Sequence, residues 1–229
     1  MPLMDEFKEE REKIKTAPLK VKWKYFQEYY LKTTIIIIAV VAILIAVLVT
    51  TLTHKDEMLY VCLINYDVNL AENEDDLIIP FEQEHLENPK KQQITGDSNE
   101  NILGDGKQAT DAESMIRYTY EDEQKITMVI AIGQMDLMIS GEDIIDKYVS
   151  REVIRSLEEV YSQAELKKLE DAGLVKYYQG TPMALCVDAS ENLNKYYYYV
   201  GEKTDHYYAA YTYGAHTDLA KKYLEYLGY

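Results

Sequence analysis

The chain has 229 residues, 47% of them apolar, and 24 Lys+Arg against 40 Asp+Glu give it a formal net charge of −16. That length suits one or two domains with a packed core, and the negative mean hydropathy excludes a polytopic membrane protein. Two cysteines exclude a disulfide scaffold, an acidic balance that repels phosphate excludes a nucleic-acid binder, and one long apolar run excludes a cytosolic enzyme.

Residues 1–32 are a polar leader. Residues 4–15 (MDEFKEEREKIK) are charged with sparse apolar positions, a helix only with outside help, and Pro18 interrupts them. Beyond it Leu19, Trp23, Phe26 and Tyr30 fall at i, i+4, i+7 and i+11, one stripe of a helix that continues into the apolar run. Trp23, Tyr25, Tyr29 and Tyr30 have the make-up of an interfacial aromatic belt, with lysines reaching headgroups. A docking site for a cytoplasmic or membrane partner would use the same residues.

Thr33 to Thr53 is a stretch of 21 residues without a charge. As an α-helix it spans about 31 Å, the thickness of a bilayer core. The leader is too long for a usual signal-peptide n-region, the apolar run too long for an h-region, and its exit (TTLTHKD) offers no A-x-A site. An uncleaved signal anchor is predicted. Lys13, Lys15, Lys20, Lys22, Lys24 and Lys32 precede the run, whereas Lys55 is followed at once by Asp56 and Glu57. The positive-inside rule then puts the N-terminus in the cytoplasm and residues from 54 outside. Residues 1–32 carry net +2 and the remainder −18, so the exterior domain is repelled by anionic lipid and stands clear of the membrane. Three parts result: a cytoplasmic juxtamembrane leader (1–32), a transmembrane helix (33–53) and an extracytoplasmic domain (54–229).

In that domain Met58 to Ile64 reads as a strand buried on both faces, broken by Asn65-Tyr66-Asp67. An acidic loop (71–76) leads to a weak helix over 75–87 that contains Pro80. Residues 88–114 read as loops around one short strand near Gln92–Thr95, and 115–132 as a helix closed by Gly133. A strand over Met135–Ile139 precedes a helix capped by Ser140 with Asp143 answering. Residues 151–173 read as strongly helical up to Ala172-Gly173, and Pro182–Val187 as a strand. Tyr196–Val200 and Tyr207–Tyr213 have the spacing of a hairpin, and a helix over 218–228 with Thr217 as its cap closes the chain. Strands alternating with helices predict an α/β domain with a mostly parallel sheet flanked by helices, with room for an antiparallel strand or hairpin.

Two stretches carry a resemblance. Residues 120–148 (YEDEQKITMVIAIGQMDLMISGEDIIDKY) resemble the helix–Gly–x–x–Asp–strand–turn–helix unit of extracellular solute-binding proteins with the type II periplasmic-binding fold. Asp218 to Leu227 is similar to the closing helix of that family, where the residues just upstream form a strand returning to the first lobe. The opening KWKYFQEYYLKTTIIII resembles the start of a group of single-pass proteins of clostridial-type bacteria. The resemblance covers about a third of the chain. In the family a whole second lobe is inserted after the unit like 120–148; here only residues 149–181 intervene. The resemblance therefore implies one lobe, without the hinge and the closing cleft.

No G-x-S-x-G, H-E-x-x-H, P-loop or C-x-x-C motif is present, so no enzyme activity is predicted. His54, His85, His206 and His216 are scattered, with His206 and His216 too far apart for a local metal pair. Asp97-x-Asn99-x-Asn101 imitates the start of a calcium loop, but Ile102 and Gln108 stand where Gly and Glu are needed. Neither a metal nor a cofactor is expected. Cys62 and Cys186, each in an apolar strand, are expected as free buried thiols.

Tyrosine is the one unusual enrichment, 22 in the chain against three Phe and one Trp. Such rings suit half-buried sheet faces, and they also stack on sugars. Tyr196, Tyr198, Tyr207, Tyr211 and Tyr213 are the candidate recognition surface. A ligand of an α/β sheet is expected at the carboxyl ends of its parallel strands, which selects Asn65, Tyr66 and Asp67 after the first strand and Ser140, Gly141 and Glu142 after the third. Capping by Ser140 explains the latter three without any ligand. The reading is a single-pass bacterial envelope protein with a non-catalytic interaction domain and a protein partner. The alternative is a tethered solute-binding component of a transporter, taking sugars or peptides.

Overall fold

A computed structural model describes residues 15–98, 102, 120–201 and 203–229, which fall into two compact units, Met1–His54 and Lys55–Tyr229. Residues 4–14 of the expected leader helix, the calcium-like positions Asn99 and Asn101, and residues 115–119 of the expected fourth helix lie outside the described residues.

The first unit holds α1 (Leu19–Tyr29) and α2 (Leu31–Thr53). Pro18 starts α1, its carbonyl accepting from the N–H groups of Val21 and Lys22. Tyr30 joins the helices without losing the ladder, since its N–H donates to Phe26 and its carbonyl accepts from Thr34, each at 2.8 Å. The expected aromatic stripe forms, with Trp23 on Phe26 at 5.8 Å and Phe26 on Tyr30 at 6.4 Å between ring centroids. At 23 residues, α2 is about 35 Å long, and it is long and apolar enough to cross a membrane. Near its end the hydroxyls of Thr50, Thr51 and Thr53 donate to carbonyls four residues back.

The second unit opens with β1 (Asp56–Leu63), β2 (Tyr66–Val68), α3 (Asp75–His85), β3 (Gln92–Asp97), α4 (Tyr120–Ala131), β4 (Leu137–Gly141) and α5 (Glu142–Ser150). It continues through a 3-10 turn (Leu157–Glu159), α6 (Gln163–Asp171), β5 (Val175–Tyr178), β6 (Thr181–Cys186), α7 (Glu191–Tyr196), β7 (Tyr197–Tyr199), β8 (Tyr207–Tyr211) and α8 (Thr217–Tyr226). The main sheet has the order β3-β1-β4-β8-β6-β5, and β2 pairs with β7 in a small second sheet. β3, β1 and β4 are parallel neighbours; β8 lies antiparallel between β4 and β6, and β5 antiparallel at the edge. Four of the six strands thus point one way, as expected for a mostly parallel sheet.

Both faces are covered, which is why β1 reads as an unbroken apolar run. Leu59, Val61 and Leu63 point to a core closed by α3, α6, α7 and α8. Tyr60, Cys62 and Ile64 point to the opposite core, beneath α4 and α5. Local signals fix the helix ends. Gly133 and Gly173 take positive φ after α4 and α6. A capping box between Ser162 and Glu165 starts α6, and Glu142 and Asp143 start α5 where the helix dipole favours acids.

Three expectations are corrected. The helix over 151–173 shrinks to Gln163–Asp171, because Ile154 bridges Thr212 and the Arg155 N–H donates to the Tyr211 carbonyl at 2.8 Å. The edge of β8 that β6 leaves free captures that backbone in extended form. The Tyr196–Val200/Tyr207–Tyr213 hairpin does not form. Ser190 instead caps α7, β7 pairs with β2, and β8 enters the centre of the main sheet. Ala209 and Ala210 explain the choice, since they are fully buried and leave room for the layers on both faces. Finally, α8 is preceded by His216, and the Thr217 hydroxyl accepts from Arg155 rather than capping.

Cys62 is buried, Cys186 is half-buried, and neither is in a disulfide. β4 and β8 separate their strands, so roughly 14 Å of sheet lies between them, about twice the reach of a disulfide. On a non-reducing gel the unfolded chain is expected to run as the reduced form. In the native protein a maleimide should label Cys186 and reach Cys62 only on unfolding; labelling of both at one rate would contradict this packing.

Candidate functional site

The turn after β1 places Asn65 at φ 61°, a left-handed conformation that Asn tolerates. Its buried amide forms a two-way lock with the backbone of Ile102: Nδ2 donates to the carbonyl and Oδ1 accepts the N–H, both at 2.8 Å. The Val200 N–H binds the Asn65 carbonyl at 2.8 Å. Ser140 is also fully buried and does not cap α5. Its hydroxyl donates to the Ile64 carbonyl at 2.9 Å, tying β4 to the end of β1, and the N-cap of α5 is Gly141 without a side-chain bond. The structure therefore brings Asn65, Ser140 and Gly141 together.

What fills the space between them is Tyr199. A Cβ on Gly141 would lie 2.6 Å from the Tyr199 hydroxyl, and one on Gly201 2.3 Å from its ring, so the phenol is seated between two glycines. Burial raises its pKa despite a hydrogen bond from Asn65 that favours the ionised form. Tyr66 and Tyr207 complete an aromatic cluster, with centroids 5.2 Å and 4.9 Å from Tyr199. Tyr66 is buried, and its hydroxyl is pushed strongly upward by desolvation. Asp67 points the other way, as alternation along β2 requires, and accepts from the exposed Tyr198 hydroxyl at 3.0 Å. Glu142 is held by Lys176 at 2.5 Å, and the same ammonium lies 3.2 Å from Asp146.

The candidate tyrosine surface disperses. Tyr196 and Tyr211 are core residues and Tyr207 is half-buried, leaving Tyr198 at 49% and Tyr213 at 51% exposure on separate elements. The enrichment is largely a packing device.

Sequence spacing did not reveal a second group at the same end of the sheet. Cys186 ends β6, Asp188 lies two residues on, and His206 immediately precedes β8; their donor atoms fall within 4.8 Å of one another. His206 Nδ1 is 2.7 Å from Asp188 Oδ2, while Asp188 Oδ1 accepts the Tyr207 N–H at 2.6 Å. The bond to Asp188 raises the His206 pKa. For Asp188, burial pulls upward, but His206 and the Tyr207 N–H outweigh it and hold the carboxyl low. The Cys-x-Asp pair was legible at the end of a strand; His206, eighteen residues beyond Asp188, was not.

At the opposite end of the parallel strands lies a cavity of about 560 Å³ lined by residues that include Met58, His85, Gln92, His216 and Lys222. Beside it Asp136, the acid of the Gly-x-x-Asp unit, is wholly buried. It accepts the Tyr60 N–H at 3.0 Å and the His216 N–H at 2.7 Å, with His216 Nδ1 3.6 Å away. Gly214 is required there, since a Cβ would fall 2.3 Å from the Asp136 carboxylate.

Comparison with known protein families, with curated proteins and with solved structures finds no match to this chain.

Proposed function

We propose that the chain is a single-pass protein of the bacterial cell envelope, anchored by α2 with its N-terminus in the cytoplasm. In this reading its acidic α/β domain lies outside as a non-catalytic interaction module for a protein partner. The lysines before α2 and the acidic residues after it support the orientation. The likeness to one lobe of a type II solute-binding protein gains support from β8, which returns antiparallel beside β4 just upstream of the closing helix. Residues 149–181 add only a 3-10 turn, α6 and β5, so they supply no second lobe.

The observation that carries the proposal is the seat of Tyr199. Ligands of open α/β sheets sit outside the carboxyl ends of parallel strands, and between β1 and β4 that space is taken by the protein's own phenol. Among the described residues, a lobe closed there keeps surfaces for a partner and leaves no solute cleft at that end of β1 and β4.

The tethered solute-binding reading has one observation in its favour: the cavity beside His85, His216 and Lys222 is within the size range of small-molecule sites. Thermal unfolding against sugars, peptides and amino acids separates the two. A solute at about a hundred times its dissociation constant would add about 2.7 kcal/mol, or roughly 5–11 °C for a domain of this size. A flat panel together with a specific crosslinked envelope protein is the expected result; a selective shift would replace the interaction reading with solute binding.

A further inference from the structure

We propose that Cys186, Asp188 and His206 form a binding site for a thiophilic divalent cation of the zinc class. The three residues offer a thiolate, a carboxylate oxygen and an imidazole nitrogen, the donor types that zinc takes in proteins. Bonds of about 2.0–2.3 Å in tetrahedral geometry put ligand atoms about 3.3–3.7 Å apart. The observed 4.8 Å envelope is within a small side-chain rotation of that.

The frame that carries these donors is rigid. The Cys186 N–H is bonded to the Leu174 carbonyl at 2.7 Å and the Val187 N–H to the Tyr207 carbonyl at 2.8 Å, so β5, β6 and β8 hold the backbone on both sides. The Tyr207 N–H fixes one oxygen of Asp188 and leaves the other turned toward His206. Such orientation of a ligating carboxylate by a second hydrogen bond is what metal sites require. Glu142 and Asp205 add negative potential around His206. Cys186 and Asp188 are half-buried and His206 is exposed, so a cation can enter from solvent and keep a fourth position for water or a donor from a partner.

Without metal, the proton between His206 and Asp188 takes the place of the cation. On binding, the Cys186 thiol proton leaves to solvent, and the Nδ1 proton leaves to solvent from an imidazolium or passes to Nε2 in the neutral ring, as the metal–nitrogen, metal–oxygen and metal–sulfur bonds form. A neutral imidazole thus releases one proton per cation and an imidazolium two, and no electron moves. The set is wrong for magnesium or calcium, which need oxygen ligands alone.

The test uses the full chain, purified in detergent and stripped with a chelator, titrated with cobalt(II) as a spectroscopic substitute for zinc. The expected result is one cobalt per chain with a thiolate-to-cobalt charge-transfer band, which zinc abolishes and magnesium leaves unchanged. Cys186→Ser should remove the band, and His206→Gln should weaken binding at least tenfold. His206→Gln should keep the wild-type melting temperature in chelator, since its side chain is exposed, whereas Cys186 packs against the core beneath α4 and α5. Should Cys186→Ser fail to fold, His206→Gln, an exposed position, carries the test alone. Absence of the band, its survival in Cys186→Ser, or unaltered affinity in His206→Gln overturns the site. The outcome is independent of the interaction reading, which turns on solutes and partners rather than on metal.

Discussion

Asp136→Ala is expected to remove about 3–5 kcal/mol of folding stability. The carboxylate has no exposure and holds two backbone donors from distant parts of the chain, the N–H of Tyr60 in β1 and that of His216 at the start of α8. Hydrogen bonds to a charged group are worth about 1.5–3 kcal/mol each, and a buried donor left without a partner costs about 1–3 kcal/mol. Asp136→Asn keeps one carbonyl acceptor and should lose about half as much. Equilibrium denaturant unfolding checks both, with an unchanged slope showing that the loss lies in stability rather than in compactness. A loss below about 1 kcal/mol for Asp136→Ala would mean that the carboxylate does not join these elements.

Tyr211→Ala should cost a similar amount, about 3–5 kcal/mol, by emptying the volume of an aromatic ring in the core. Its ring is fully buried, packs edge-on against Tyr161 at 5.9 Å and shares a hydroxyl–hydroxyl hydrogen bond with it at 2.6 Å. Burial raises both phenols, Tyr161 to about 12. Tyr211→Phe removes only that bond and should cost about 1 kcal/mol. Tyr198→Ala and Tyr213→Ala, at exposed positions, should stay within about 0.5 kcal/mol of wild type. This pattern, read by the same unfolding experiment, separates tyrosines that pack from tyrosines free to meet a partner. Equal losses at Tyr211 and Tyr198 would contradict it.

Much of the fold was legible because period and punctuation agreed locally. Met58–Ile64 is apolar without a break because helices cover both faces of β1, and Gly133 and Gly173 end helices at positive φ. Where sequence reasoning went astray, a distant partner decided the conformation. Residues 151–162 have helical composition, yet the open edge of β8 takes Ile154 and Arg155 as extended chain. Tyr196–Val200 has hairpin spacing, yet β2 lies nearer in space than β8 does in sequence. The same holds for the site. Asn65, Ser140 and Gly141 were found from the rule for parallel strands, whereas Tyr199 reaches them from another sheet. The cluster of Cys186, Asp188 and His206 depends on β6 and β8 being neighbours, which no local pattern encodes.

The position of β8 bears on how the protein is made. Among the strands described, it is the last in the chain, and it is also the only link between β3-β1-β4 and β6-β5. A ribosome adds about 5–20 residues per second, so roughly 7 to 30 seconds pass between the synthesis of β1 and that of β8. Once β6 has been made, near the end of that interval, two partial sheets stand with bare inner edges until β8 joins them. Vectorial synthesis therefore cannot complete the main sheet before its last strand is made. The nascent chain must be kept from pairing with its neighbours until its final strand arrives, and folding then completes in one late step.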